Sequence, residues 1–218
     1  MDTLIKKIDG FLMKYNIQSS NKNNLDELLI KHSIKVNNKI KLNELSIVDI
    51  FTLLNHFTTY CKKRIEIYKD MNKKQRQPNF PEDISENIVR FIIEKLEKIN
   101  VSWNTTSGDL MIINTKEKIE VKCFSSTGPT SFGPTEKWDY LYFLDAIDFI
   151  NMNFKCYKIS LSNDNDIWKN IKINKKETFN EQCVQGRRPR IQYSSLKSLI
   201  PIEYITEIFN GNLKILLE

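Results

Sequence analysis

Apolar residues recur along the first third of the chain with the spacing of amphipathic helices. One stripe is formed by Leu25, Leu28, Leu29 and His32, and a second by Ile47, Ile50, Phe51, Leu54 and Phe57. Intervals of three and four residues place side chains on one face of a helix. Ser46, just before the second stripe, is a residue type that caps helix N-termini. We therefore predict a helical N-terminal region over residues 1–76, with one helix running from Ser46 to about Lys69.

The pattern changes after the segment QPNFPEDI, where Pro78 and Pro81 interrupt the helical spacing. A further apolar stripe predicts a helix over residues 83–99, and short apolar runs then predict four strands, at 109–114, 118–124, 139–144 and 154–160. We expect a turn at 114–117, a short helix at 164–170 and a last helical stretch at 201–210. The order of these elements predicts an α/β or α+β fold for residues 77–218.

Charged residues interrupt the first two predicted strands. Side chains alternate between the faces of a strand, so Glu120 and Lys122 share one face while Ile119 and Val121 take the other. In a hairpin that turns at 114–117, Asp109 falls opposite Lys122 and diagonal to Glu120, with Cα atoms about 7–8 Å apart. The pattern thus predicts two carboxylates and one ammonium group at one place on a sheet.

Two neighbouring carboxylates in a partly apolar place repel each other unless a cation neutralises them. Oxygen ligands suit Mg²⁺ or Mn²⁺ and not zinc, so Asp109, Glu120 and the backbone carbonyl of Val121 are candidate ligands. Lys122 could act on a water molecule and stabilise negative charge on a phosphate. This set suits phosphodiester hydrolysis. The alternative is an ordinary solvent-exposed Glu–Lys pair.

Composition narrows the possible functions. The chain has 218 residues, a formal net charge of +6, two histidines and four scattered cysteines. This favours a polyanionic partner and reduced thiols in a cytoplasmic protein, and gives no spacing typical of zinc sites. Without a Gly-Lys-Ser/Thr loop or a long apolar run, we expect neither a nucleotide cofactor nor a membrane span.

The run from Gly108-Asp109 to Glu120-Val121-Lys122 resembles the catalytic signature of the PD-(D/E)XK nuclease superfamily, with Gly108 where a proline is usual. Residues 81–92, PEDISENIVRFI, resemble the helix that precedes the catalytic hairpin in type II restriction endonucleases. The segment at 125–146 and the sequence GRRPR at 186–190 are similar to later segments of those enzymes. The resemblance covers residues 78–195.

The resemblance implies a core with a mixed central sheet flanked by helices. It further implies a homodimer that cuts both strands of double-stranded DNA at a short sequence with Mg²⁺, or with Mn²⁺ in its place. Asp109 and Glu120 would bind the metal, Lys122 would act on the attacking water, and Glu86 would assist through a bound water. Glu82 is the alternative to Glu86.

DNA contacts are expected from two segments. Arginine can bind guanine through two hydrogen bonds and glutamine can read adenine, which makes candidates of Gln185, Arg187, Arg188, Arg190 and Gln192. Small polar residues after the catalytic strand form the second set: Ser125, Ser126, Thr130 and Ser131. The arginines could instead bind phosphates or keep the surface soluble. We interpret Glu136 and Lys137 as structural charges and Trp138 as a core residue.

Three functions remain open from the sequence: a type II restriction endonuclease, a repair or recombination nuclease of the same fold, and a non-catalytic DNA-binding protein. The arginine-rich GRRPR segment and residues 125–137 favour the first. The intact set of Asp109, Glu120 and Lys122 argues against the third. The N-terminal 76 residues could dimerise, contact the DNA backbone, or do both.

Overall fold

The computed structural model describes residues 44–73, 78–103 and 108–217. The helix predicted around Leu25 and His32 lies outside the described residues. The elements below are numbered in chain order from the first described helix.

Helix α1 spans Ile47–Asp70 and begins where its sequence predicts. The backbone N–H of Asp49 donates to the Ser46 hydroxyl at 3.2 Å, and the Asp49 carboxylate accepts from the Ser46 backbone N–H at 3.2 Å. This reciprocal capping satisfies two N–H groups that the first helical turn leaves unpaired. The predicted N-cap is therefore confirmed. One face of α1 is buried through Ile50, Leu54, Thr58 and Cys61.

Helix α2 spans Glu82–Ile92 and is shorter than predicted. A π-helical turn, Ile93–Glu97, continues it, and Lys98 ends the turn with a left-handed φ of 58°. The helix is anchored to the chain before α1, because the Leu45 N–H donates to Asn87 Oδ1 at 3.0 Å and Arg90 donates to the Leu45 carbonyl at 2.6 Å. Residues 44–70 thus pack as part of the same body as α2.

The described part of the chain contains a six-stranded mixed sheet in the order β1-β2-β3-β5-β6-β8. Its strands are β1 (Val101–Trp103), β2 (Leu110–Ile112), β3 (Lys118–Phe124), β5 (Tyr140–Asp145), β6 (Asn153–Ile159) and β8 (Ile205–Asn212). Strands β3 and β5 are parallel, and the other neighbours are antiparallel. The four predicted strands are all present: β3 has the predicted bounds, and the other three have shifted ends.

Strand β8 corrects one prediction. Residues 201–210 were expected to be helical, whereas Ile202–Tyr204 form a 3-10 turn and β8 pairs with β6. The apolar positions in this stretch fit either period, so pairing with a neighbouring strand decides the outcome. The sequence patterns also missed β1 and two short helices, α4 (Phe179–Val184) and α5 (Tyr193–Leu199). The predicted helix near residue 166 is present as α3 (Asp166–Lys169).

Two hydrophobic clusters in the described residues cover the two faces of the sheet. The first packs α1 and α2 against Ile119 and Val121 of β3. The second joins Leu141 and Phe143 of β5 to aromatic residues that include Trp138, as predicted for that residue. Glu120 and Lys122 lie on the second face, because residues of one strand alternate in direction. The sheet therefore has a buried core on both sides.

Candidate active site

The candidate site forms where pairing between β2 and β3 stops. Strand β2 begins only at Leu110, so its ladder with β3 comprises Leu110–Ile119 and Met111–Lys118. Just before it, the Asp109 N–H donates to the Ile119 carbonyl at 2.8 Å, and Asp109 Oδ2 accepts from the Val121 N–H at 2.7 Å. A side chain thus replaces the next backbone bond of the ladder, and a carboxylate is fixed at the edge of β3.

Gly108 allows the chain to approach β3 closely just before Asp109. Its φ is +75°, and a Cβ at this position would lie 2.9 Å from the Ile119 carbonyl oxygen. Glycine alone adopts this conformation without strain and permits such a close approach. The close contact lets Asp109 reach the edge of β3.

The register corrects the predicted hairpin. The turn occupies residues 113–116, one position earlier than expected, and Ile112 N–H donates to the Glu117 carbonyl at 2.9 Å. A shift of one turn residue moves every cross-strand pair. Asp109 lies just beyond the last pair of the ladder, where its hydrogen bonds go to Ile119 and Val121 and not to Lys122.

Lys122 and three acidic side chains surround the edge of β3. The Lys122 ammonium donates to Glu120 Oε1 and lies 3.9 Å from Glu136 Oε2. The Glu136 carboxylate also accepts from the Gly133 N–H at 3.0 Å, and it shares a hydrogen bond with the Glu120 carboxyl. Glu120 is only 1% exposed. The predicted convergence of Asp109, Glu120 and Lys122 is therefore what the fold brings about.

Burial controls the ionisation of these groups. Burial raises the pKa of Glu120 to about 8, and Asp109 adds to the shift while Lys122 opposes it. Burial likewise raises the pKa of Asp109, against the effects of Lys122 and of the Val121 N–H. For Lys122, burial alone would lower the pKa, but Glu120 and Asp109 outweigh it and the pKa is raised. The site carries more acidic groups than its one buried lysine can neutralise.

Helix α2 contributes a further acid. Glu86 is 9% exposed, and burial raises its pKa to about 8, with additional repulsion from Asp109 and Glu82. Glu86 and Glu82 both line the same cleft as Asp109. The charge of Glu86 is also influenced by Glu120 and Lys122.

The cleft above these groups has a volume of about 480 Å³. A small antiparallel ribbon borders it, formed by β4 (Thr130–Ser131) and β7 (Arg190–Ile191). Thr130 Oγ1 donates to the Ile191 carbonyl at 3.2 Å, which holds the two segments together. Of the predicted DNA-binding residues, the cleft lining includes Ser125, Ser126, Thr130, Ser131, Arg188 and Arg190.

Three predicted DNA-binding residues are not part of this lining. Arg187 donates to Glu177 instead. Gln185 lies at the C-terminal end of α4, and Gln192 is the residue that precedes α5. The arginine segment, residues 186–190, therefore presents its arginines in different directions.

Glu136 was interpreted as a structural charge, yet it lines the cleft beside Lys122 and Arg188. Burial favours a higher pKa for Glu136, but the hydrogen bond with Glu120 and the charge of Lys122 outweigh it, and the pKa is lowered. No spacing in the sequence signals this role, because the partners lie 14 or more residues away in the chain.

Oxygen donors at the site suit a hard divalent cation. Asp109 and Glu120 supply carboxylates. The Ile119 carbonyl points toward β2, and backbone groups two residues apart in a strand point to the same side. The N–H and carbonyl of Val121 therefore also point to this edge of β3. Mg²⁺ needs only one or two protein carboxylates and takes its other ligands from water and phosphate. Among the described residues, no three His, Cys, Asp or Glu side chains are arranged as a metal site. A Mg²⁺ site with one or two protein carboxylates does not need three such side chains.

Comparison with known proteins decides among the three candidate functions. The Bsp6I restriction endonuclease family matches residues 48–201. The chain belongs to this family. It is also 32% identical over 146 residues to the type II restriction enzyme Bsp6I of Bacillus sp. (strain RFL6), a stretch that covers 66% of this chain and 78% of the relative. No solved structure matches the chain.

Membership in the Bsp6I family makes this chain a type II restriction endonuclease, a site-specific deoxyribonuclease whose substrate is DNA. The match begins within α1 and extends through α5, so it includes every candidate residue discussed above. Enzymes of this kind generally use a divalent metal ion. Among the described helices, none combines the length and the apolar character needed to cross a membrane.

Proposed function

We propose that this endonuclease hydrolyses DNA phosphodiester bonds at the edge of β3, with Asp109, Glu120 and Lys122 as its catalytic residues and Mg²⁺ as its cofactor. One observation carries the proposal: two buried carboxylates and a buried ammonium group meet in a cleft where strand pairing ends. Such a group of shifted titratable residues in a cleft is typical of active sites.

Asp109, Glu120 and the Val121 carbonyl would hold the metal. When bound there, Mg²⁺ would supply Lewis acidity toward the phosphate and lower the pKa of a bound water, and Mn²⁺ would serve in its place. The fit rests on the donor set, since both carboxylates have raised pKa values and gain from a positive charge between them.

Lys122 would position the attacking water and stabilise negative charge that develops on the phosphate. Its ammonium group is held by Glu120 and faces the ring of Phe132, with Nζ 5.5 Å from the ring centroid. These contacts restrict the lysine to the cleft. Glu86, which also lines the cleft, would assist through a water molecule, because its carboxyl is buried and interacts with the other charged groups.

DNA would lie across the cleft. Arg188 and Arg190 would contact bases or phosphates from the ribbon side, together with the hydroxyl groups of Ser125, Ser126, Thr130 and Ser131. Two-stranded ribbons fit the major groove of B-DNA. Contacts by Gln185, Arg187 and Gln192 stay predictions for a duplex that extends beyond the cleft.

Cutting both strands would require two such sites, so we include a homodimer in the proposal, with residues 1–76 as candidates for dimerisation or backbone contact. Sedimentation equilibrium of the full chain with and without duplex DNA tests this part: a mass of one chain in both conditions would refute it.

Free thiols at Cys61, Cys123, Cys156 and Cys183 support a cytoplasmic location.

The central test compares Glu120→Gln with Glu117→Gln. Glu117 lies just before β3, bonds to Thr115 and Tyr140, and is not among the residues that line the cleft. With unmodified bacteriophage DNA and Mg²⁺, wild type and Glu117→Gln should give discrete fragments. Glu120→Gln should cut at least about 100-fold more slowly while still shifting the DNA in a gel without metal. Equal cutting by both variants would place the active site elsewhere.

A further inference from the structure

Glu136 connects two parts of the cleft that belong to different segments of the chain. Its Oε2 atom lies 3.9 Å from the Lys122 ammonium on β3, and its Oε1 atom lies 3.9 Å from Arg188 Nη2 in the arginine segment. The side chain is 30% exposed, whereas Arg188 is 66% exposed. One carboxylate thus faces a buried cation with one oxygen and a solvent-accessible cation with the other.

The position of this carboxylate is fixed by backbone contact. Gly133 donates its N–H to Glu136 Oε2 at 3.0 Å, and a Cβ at Gly133 would collide with the Glu136 carboxylate. Glu136 is therefore held at one place in the cleft by contacts that do not depend on DNA.

We propose that Glu136 is a positioning residue that couples DNA binding by Arg188 to the placement of Lys122. The inference rests on the proposed function, because Lys122 must be the catalytic lysine. DNA phosphates and base edges attract Arg188, whose side chain is accessible, and they compete with Glu136 for it. When Arg188 turns to DNA, the Glu136 carboxylate retains Lys122 as its cationic neighbour, so engagement of the arginine changes the forces on the lysine.

The coupling would make cleavage depend on correct contact by the arginine segment. If the bound duplex does not contact Arg188, the arginine stays beside Glu136, and Lys122 keeps the contacts with carboxylates that it has without DNA. If the duplex binds Arg188, Glu136 loses the arginine and can orient Lys122. Glu136 would thus contribute to the difference in cleavage rate between a target site and other DNA.

The matched variants are Glu136→Gln and Glu177→Gln. Both lose a carboxylate that contacts an arginine of the same segment, but Glu177 contacts Arg187 and is not among the cleft-lining residues. The assay is single-turnover cleavage by the full chain with Mg²⁺, on a bacteriophage DNA fragment that wild type cuts once. Glu136→Gln should reduce the rate at saturating DNA about tenfold, with half-saturation changed less than about threefold. Glu177→Gln should keep the saturated rate within about twofold of wild type.

Two further variants test the connection itself. The double variant Arg188→Gln with Glu136→Gln should lose less cleavage rate than the product of the two single losses, because both substitutions interrupt the same coupling. Gly133→Ala should displace the carboxylate while keeping its charge, and should reproduce part of the Glu136→Gln loss. Gly133→Ala therefore also tests the proposal in the case that the Glu136→Gln variant fails to fold.

The proposal is overturned if Glu136→Gln cuts at the wild-type rate, if its loss lies in half-saturation alone, or if the double variant shows the full product of losses. Failure of the proposed function looks different: Glu120→Gln would then cut normally. Loss of cutting in Glu120→Gln together with normal cutting in Glu136→Gln would remove this inference and leave the active site standing.

Discussion

Two Glu–Lys pairs in this molecule are both partly buried, yet their surroundings differ in charge. Glu97 receives hydrogen bonds from Lys158 and from the Tyr142 hydroxyl, both at 2.6 Å, and Lys158 also lies 4.9 Å from the centroid of the Tyr140 ring. In this pair, one acidic side chain contacts one basic side chain, and the other partners are uncharged. Glu120 and Lys122 instead have Asp109, Glu86 and Glu136 as neighbours.

The difference distinguishes a structural ion pair from the pair that we propose to be catalytic. In the pair of Glu97 and Lys158, charge is balanced by the protein itself, so the contact can contribute to stability. In the cleft, acidic groups exceed the buried base, which costs folding free energy unless a cation arrives. An ion pair alone therefore indicates little, whereas a surplus of buried acid beside it points to a binding site for positive charge.

Removing the two lysines should give the largest contrast. Lys122→Met is expected to reduce the cleavage rate by about 100-fold or more, because stabilisation of the phosphate is lost. Lys158→Met should leave cleavage at saturating DNA unchanged in the folded fraction. Single-turnover rates with Mg²⁺ measure both. Comparable losses in the two variants would show that the pairs do not differ in function.

Neutralising the two glutamates should change stability in opposite directions. Glu97→Gln is expected to lower the free energy of unfolding by about 1–3 kcal/mol, because charged hydrogen bonds to Tyr142 and Lys158 are weakened. Glu120→Gln should raise it at pH 8 without metal, since the buried negative charge and its repulsion from Asp109 are removed. Urea denaturation in EDTA provides the values. Destabilisation of both variants by the same amount would contradict the charge surplus.

The pH dependence of stability should have a specific sign. The pKa values of Glu86 and Glu120 are raised by burial to about 8 in the folded chain, from 4.5. Between these values the folded state holds protons that the unfolded state has released, so stability should fall as the pH rises from 5 to 8. Thermal unfolding in EDTA should show this decline, with a shallower one for Glu120→Gln. A rise in stability over this range would refute the account.

Much of the fold follows from local patterns. The Ser46 cap, the face of α1 and the hairpin around β3 depend on residues close together in the chain, and each is present. The helix predicted over residues 201–210 was wrong because Ile202, Ile205, Ile208 and Phe209 satisfy a helical period, although the last three belong to strand β8. Strand β1, with three residues, is too short for any period to be detected.

The sequence predicted most residues of the candidate site but not how they are arranged. The E-x-K spacing places Glu120 and Lys122 on one face, whatever the register. The position of Asp109 depends on a turn that begins one residue earlier than predicted and on hydrogen bonds to Ile119 and Val121. Glu136 and Arg188 lie near the lysine only because the ribbon of β4 and β7 folds over β3. Contacts of this kind depend on packing, which no local pattern encodes.

The most direct test locates the cation. Crystals of the full chain with duplex DNA and Mn²⁺ should give an anomalous scattering peak at about 2.1 Å from oxygens of Asp109 and Glu120, near the Val121 carbonyl. The same crystals should show no peak at Glu97, whose charge is already balanced by Lys158. A peak at Glu97, or one that avoids both Asp109 and Glu120, would contradict the claim that surplus acid at the edge of β3 holds the metal.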